Sequence, residues 1–169
     1  MSDPTPLPEL RPATEDDLAT ILYMIKALAE YERLAGDVTA TEADLRATLF
    51  GEKPVAEVVI AWDRSDPVGF AVYFQTFSTF LGKPGIYLED VFVVPSWRGR
   101  GVGRALLAWV ARAAVERGAG RMEWSVLDWN ELALGVYRRI GARPMQEWTV
   151  QRLTGDALHA LATSVSAPS

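Results

Sequence analysis

One stretch restricts this chain more than any other: Val93-Val94-Pro95-Ser96-Trp97-Arg98-Gly99-Arg100-Gly101-Val102-Gly103-Arg104. An apolar run ends at Pro95, glycines follow at every second position, and Ala105-Leu106-Leu107-Ala108-Trp109-Val110 then reads as a helix. A strand that turns through glycines into a helix aims several backbone N–H groups and the positive end of a helix dipole at one spot, which suits phosphate. Glycine keeps side chains from blocking a diphosphate's approach to the main chain. Two common phosphate loops do not fit. A P-loop needs Gly-Lys-Ser/Thr after its glycines, and none is present. A dinucleotide fingerprint needs its third glycine where Arg104 stands, and it sits near the start of its domain, whereas these glycines lie past the midpoint. An ordinary glycine-rich strand-to-helix turn would use the same residues.

The rest of the chain limits what such a loop serves. There are 169 residues, 49% of them hydrophobic and 23% charged, which suits one folded domain with a substantial core. With no cysteine and a single histidine, His159, disulfides, thiolate metal sites and multi-histidine metal centres are excluded, and no metal is expected. The net charge of −5 argues against nucleic acid and suits a cationic substrate. No apolar stretch approaches a membrane span, and residues 1–8 lack the pattern of a signal peptide, so the cytoplasm is expected.

Along the chain, residues 1–8 read as a disordered leader, 9–163 as one domain and 164–169 as a flexible tail. Glu9 to Pro12 is a short strand. Thr14-Glu15-Asp16-Asp17 and Thr41-Glu42-Ala43-Asp44 are helix starts with a threonine cap and acids in the first turn. Strands follow at Val55–Trp62, Val68–Phe74 and Ile86–Val94, with a loop at Ser78–Gly85 before the third. A helix covers Gly101–Arg117, a strand Arg121–Leu127, and a helix Asn130–Ile140 that stops at Gly141. Trp148–Leu153 has the alternation of a last strand, and a short helix starts at Thr154. This order implies one α+β domain.

That order, with Arg-Gly-x-Gly-x-Gly after the fourth strand, resembles the GNAT N-acetyltransferases over about residues 9–155. Four stretches are similar to its diamine acetyltransferase branch: Arg11-Pro12-Ala13-Thr14, Ile25-Lys26-Ala27-Leu28-Ala29-Glu30-Tyr31-Glu32, Leu88-Glu89-Asp90-Val91-Phe92-Val93, and Trp129-Asn130-Glu131 through Tyr137-Arg138-Arg139-Ile140-Gly141-Ala142. The resemblance implies a mixed, mostly antiparallel sheet flanked by helices. It implies acetyl-CoA as cosubstrate and direct attack by the primary amine of a small cationic acceptor. Relatives in the branch pair as homodimers, which implies the same here.

Residue roles follow from the resemblance. Main-chain groups of Val91, Phe92 and Val93 would meet the pantetheine arm and polarise the thioester carbonyl. Arg98 and the loop Gly99, Arg100, Gly101, Val102, Gly103 and Arg104 would take the diphosphate. Asn130 and Ala133 would also touch the cofactor, and Asn130 also suits a simple helix cap. Tyr137 would protonate the leaving thiolate, because a phenol with a pKa of about 10 holds its proton at neutral pH. Glu89 interrupts an apolar strand, where a carboxylate is costly unless paired or used. It is the expected proton acceptor or ammonium anchor, and alternation sets Glu89 and Asp90 on opposite faces. Tyr31, Glu32, Asp90 and Glu147 complete the expected acceptor site.

The chain departs from the polyamine enzymes where they carry an acid and Pro-Trp: here the segment reads Ser78-Thr79-Phe80. Losing a desolvated charge partner can cost about 2–5 kcal/mol in binding. A shorter diamine or a lysine-like amino acid is therefore favoured over a long polycation. Two other readings stay open: a non-catalytic acyl-CoA sensor, and a protein acetyltransferase with Phe77–Gly85 as its peptide rim.

Overall fold

The computed structural model describes residues 6–164, which fall into two units meeting between Leu127 and Asp128. The first unit holds β1 (Glu9–Pro12), α1 (Leu18–Tyr31), α2 (Glu42–Leu49), β2 (Glu57–Asp63), β3 (Asp66–Ser78), β4 (Lys83–Val93), α3 (Val102–Glu116) and β5 (Met122–Trp124). The strands form one sheet in sequence order, antiparallel except for the parallel pair β4–β5.

Both threonine-capped starts are present. The Thr14 amide donates to Asp17 Oδ2 at 2.8 Å over a 3-10 turn that leads into α1. At α2 the Thr41 amide donates to Asp44 Oδ2 at 2.8 Å, and the Asp44 amide donates to Thr41 Oγ1 at 3.2 Å. These bonds satisfy first-turn amides that otherwise lack acceptors.

Neighbouring strand residues face opposite sides, and the helices use both. Leu18, Ile21, Met24 and Leu28 of α1 and Leu45 of α2 pack with Val58, Ile60, Phe70 and Phe92 of the sheet. On the other face α3 lies close to Gly69. A Cβ there would stand 2.9 Å from the Phe92 carbonyl oxygen and 3.2 Å from Leu106 Cδ1. Gly69→Ala is therefore expected to lose about 1–3 kcal/mol of stability by overpacking, read as a lowered midpoint in thermal denaturation.

Two expectations are corrected. Ser78–Gly85 is not a loop: β3 runs through Ser78, β4 begins at Lys83, and only Thr79–Gly82 turns. The buried Ser78 Oγ accepts the Leu81 amide at 3.3 Å and closes this turn. Nor is Trp148–Leu153 a strand; among the described residues nothing pairs with it. Its alternation is that of a half-buried strand, but a strand exists only against a partner edge, and Trp148 and Val150 are 74% and 80% exposed.

The second unit holds α4 (Glu131–Arg139) and α5 (Gly155–Thr163). Gly141 has φ 86°, the left-handed conformation of a residue that follows a helix end. Of the expected leader and tail, residues 1–5 and 165–169 lie outside the described residues, and Pro8 is buried.

Candidate active site

The glycine stretch forms a 3-10 turn at Pro95–Trp97 and then the start of α3, with Gly101 at the N-cap. Gly99 and Gly101 adopt φ 74° and 86°, where a side chain is strained. The first helical bond here is from the Ala105 amide to the Gly101 carbonyl at 2.9 Å. The amides of Val102, Gly103 and Arg104 precede it and have no intrahelical acceptor. No acid occupies the first turn of α3, and Arg100 lies over the Trp97 ring at 4.9 Å. The result is a cationic cradle of amides, as the spacing predicts.

The main chain of β4 supplies a second set of donors. β5 pairs with Ile86, Tyr87 and Leu88, and then ends. Beyond Leu88 the outer edge of β4 has no strand partner among the described residues. The Val94 amide donates to the Val68 carbonyl at 3.0 Å. In an antiparallel ladder alternate residues point to one neighbour, so Phe92 spends its amide on β3. Val91 and Val93 turn their N–H and C=O groups to the open edge.

A bulge gives β4 its chemistry. Val72 pairs with Asp90 and Tyr73 with Leu88, so Glu89 is an extra residue without a partner. An inserted residue reverses the phase of alternation. Asp90 and Phe92 consequently share the α1 face, opposite Val72 and Phe70 of the same cluster. Glu89 is exposed at the bulge, while Asp90 is half-buried. The sequence favoured Glu89; the structure gives Asp90 the more perturbed environment.

The charges of two further carboxylates, Glu89 and Glu32, act on Asp90. Burial first, then the charges of Glu89 and Glu32, push the Asp90 pKa up to about 6. Burial also raises the pKa of Glu32. Glu32 is the C-cap of α1, directly after Tyr31, so the helix end delivers both residues to the carboxylates. Negative charge gathered at a half-buried position favours a bound cation. Because Asp90 titrates above its ordinary range, its neutral form favours folding at low pH. That contribution is lost as pH rises through about 6.

Arg98 is held by two main-chain carbonyls and two aromatic rings. Its amide donates to the Pro95 carbonyl at 3.2 Å and its Nε to the Val93 carbonyl at 3.0 Å. The guanidinium sits 4.3 Å from the Tyr31 ring centroid and 5.7 Å from that of Phe92. Nothing in the sequence signals that orientation, because a long side chain can leave a loop in several directions.

In the second unit Asn130 caps α4: its Oδ1 accepts the Ala133 amide at 3.2 Å. Tyr137 is in the second turn of that helix and half-buried, and Glu147 is exposed beyond it. Among the described residues no cluster of His, Cys, Asp and Glu could hold a metal ion, and no helix is long and apolar enough to cross a membrane.

Comparison with known proteins gives a consistent result. Residues 21–142 match the acetyltransferase (GNAT) family. A thialysine N-epsilon-acetyltransferase of Bos taurus is 38% identical over 164 residues, covering 90% of this chain and 96% of that protein. An L-ornithine N5-acetyltransferase of Arabidopsis thaliana is 33% identical, covering 90% and 86%. Among solved structures, an integron cassette protein from the mobile metagenome of V. cholerae superposes with a TM-score of 0.77 at 28% identity, covering 92% and 97%.

Proposed function

The chain belongs to the GNAT acetyltransferase family, and from that premise we propose that Asp90 and Glu32 seat the ammonium of its acceptor, Glu89 and Asp90 draw off the amine proton, and Tyr137 protonates the departing thiolate. The protein is an N-acetyltransferase that moves acetyl from acetyl-CoA to a small amine. The observation that carries the proposed assignment is the half-buried Asp90, under the charges of Glu89 and Glu32, on β4 just past the point where β5 ends.

The steps follow from that arrangement. The amides of Gly99, Arg100, Gly101, Val102, Gly103 and Arg104 hold the diphosphate against the dipole of α3. The pantetheine arm runs along the open edge of β4, where Val91 and Val93 offer main-chain groups. A main-chain N–H there stabilises the oxyanion of the tetrahedral intermediate. The acceptor arrives as an ammonium, loses one proton toward Glu89 and Asp90, and attacks the thioester carbonyl through its lone pair. The C–N bond forms, the C–S bond breaks, the thiolate takes the Tyr137 proton, and the second proton of the attacking nitrogen passes through solvent to the phenolate, leaving a neutral amide and a restored phenol. Asn130 holds the start of α4, and the family resemblance is what supports cofactor roles for Asn130 and Ala133 and an acceptor role for Glu147.

Two relatives are named for acetylating thialysine at N-epsilon and L-ornithine at N5. That supports an acceptor with a flexible amine arm, as does the lack of an acid in Ser78-Thr79-Phe80. The same reading takes residues 9–163 as one GNAT domain in the cytoplasm, and the family match crosses both units. It also takes the working form as a homodimer, supported by the strand-like, unpaired and exposed Trp148–Leu153. Light scattering on the eluted protein tests the dimer, and a monomer mass contradicts it.

Two outcomes test the assignments. Gly101→Val forces a branched side chain into φ 86° and against Leu7, 3.4 Å from the position of a Cβ. With about 1–2 kcal/mol of strain at the nest, titration calorimetry is expected to show acetyl-CoA affinity lowered about tenfold or more. The kcat/KM for the amine is expected to fall as pH drops through about 6, where Asp90 gains its proton. An Asp90→Asn profile lacks that acid limb.

A further inference from the structure

We infer that Tyr87 and Ser125 set the length of the acyl group this protein transfers: their hydrogen bond closes the fork between β4 and β5, leaving room for acetyl and not for a longer chain. The inference rests on the reading that the pantetheine arm runs along the open edge of β4.

Three observations carry it. First, the two side chains bridge the fork where it opens. β5 pairs with Ile86, Tyr87 and Leu88 and ends at Trp124. Ser125 is the next residue, and its Oγ lies 2.7 Å from the Tyr87 hydroxyl. The bond thus joins the two strands at the point where their main-chain pairing stops. It also keeps the Tyr87 ring over the fork, since without it the side chain is free to turn to another rotamer. Second, the ring is braced from β3. Its cross-strand partner is Phe74, and the two ring centroids are 5.3 Å apart. Third, the other face of the sheet is full. Leu88 points opposite to Tyr87 and is 1% exposed, and Ile86 is fully buried.

The direction of the arm brings the acyl group to this place. The diphosphate nest follows the C-terminal end of β4, so an arm that starts there runs back along the open edge, against the strand direction. That edge is shut at Leu88 by the pairing with β5. The acyl group is the far end of the arm, so it faces the closed end of the fork. A longer chain meets paired strands ahead, Leu88 on one face and the Tyr87–Ser125 bridge on the other. A site packed in this way does not take up extra methylenes without strain. Asp90 pairs with Val72 and Tyr87 with Phe74, two residues further along β3, which is about 7 Å. The bridge therefore bounds the acyl tail and leaves the ammonium seat uncovered.

The test is a donor series of acetyl-, propionyl- and butyryl-CoA, with lysine held at saturation as the amine and free thiol as the readout. An extra methylene in a closed site is worth about 10- to 200-fold, so the wild-type kcat/KM is expected to be at least about a hundredfold higher for acetyl-CoA than for butyryl-CoA. In Tyr87→Ala that ratio is expected to fall to within about tenfold. Tyr87→Phe and Ser125→Ala each remove one hydroxyl and little volume, and they decide the matter if Tyr87→Ala does not fold. Each is expected to lower the ratio about threefold or more, and the double variant no further, because the two hydroxyls act as one bond. The ratio is insensitive to any loss the donors share, such as weaker binding of the diphosphate. A wild-type ratio under about tenfold overturns the inference, and so does a ratio left unchanged by Tyr87→Ala or by both hydroxyl variants. If no donor passes its acyl group to the amine, the reading of the arm falls with it; transfer at unchanged ratios sinks the role of Tyr87 and Ser125 alone.

Discussion

Tyr137→Phe is expected to lower kcat by about a hundredfold or more while acetyl-CoA binds with its original affinity. Proton transfer by a positioned side chain is typically worth 10²–10⁴-fold, and the thiolate is the group that needs a proton when the C–S bond breaks. Phenylalanine keeps the ring and the packing of α4 and removes only the donor. Stopped-flow measurement of free thiol gives the rate, and calorimetry gives the affinity. A fall in affinity with unchanged kcat would show a packing role for this tyrosine.

Asp90→Asn is expected to have the second large effect, a fall in kcat/KM for the amine of about 30-fold to 1,000-fold. Truncating one partner of a desolvated charge pair costs about 2–5 kcal/mol. The isosteric amide retains the shape and loses the charge. Stability moves the other way. Burial and two neighbouring carboxylates hold the Asp90 pKa at about 6, so its ionised form strains the fold at neutral pH. The variant is therefore expected to melt at a higher temperature at pH 7 than the wild type. A more stable, less active protein separates a binding carboxylate from a structural one, because loss of a salt bridge would lower both. Glu89→Gln is expected to be the milder change, since Glu89 stands exposed at the bulge.

Much of this was legible in the chain because it depends on short-range rules. Threonine three positions before aspartate marks both early helix starts, and the bonds are there. Glycines at alternate positions mark the nest, and two of them adopt the positive φ that other residues resist. Asn130 and Gly141 bracket α4 as expected. What escaped depends on pairing between distant segments. The bulge at Glu89 is defined against Val72 and Tyr73, so strict alternation along β4 could not reveal that Asp90 and Phe92 lie on the opposite face from Leu88. Ser78 to Gly85 has the composition of a loop, but Phe77 and Ser78 pair with Pro84 and Lys83 and leave only four residues to turn. Trp148–Leu153 alternates like a strand and has no partner edge among the described residues. The direction of the Arg98 side chain depends on Tyr31, more than sixty positions earlier.

The measurement that tests the central claim most directly is a single-turnover reaction with acetyl-CoA labelled in its acetyl group, run with and without lysine. Free thiol and acetylated amine are quantified together by mass spectrometry. Amine-dependent release of thiol, matched one to one by label on the side-chain nitrogen, is the predicted result. Thiol released at the same rate without amine, or bound acetyl-CoA that never transfers its label to any amine, would contradict the account.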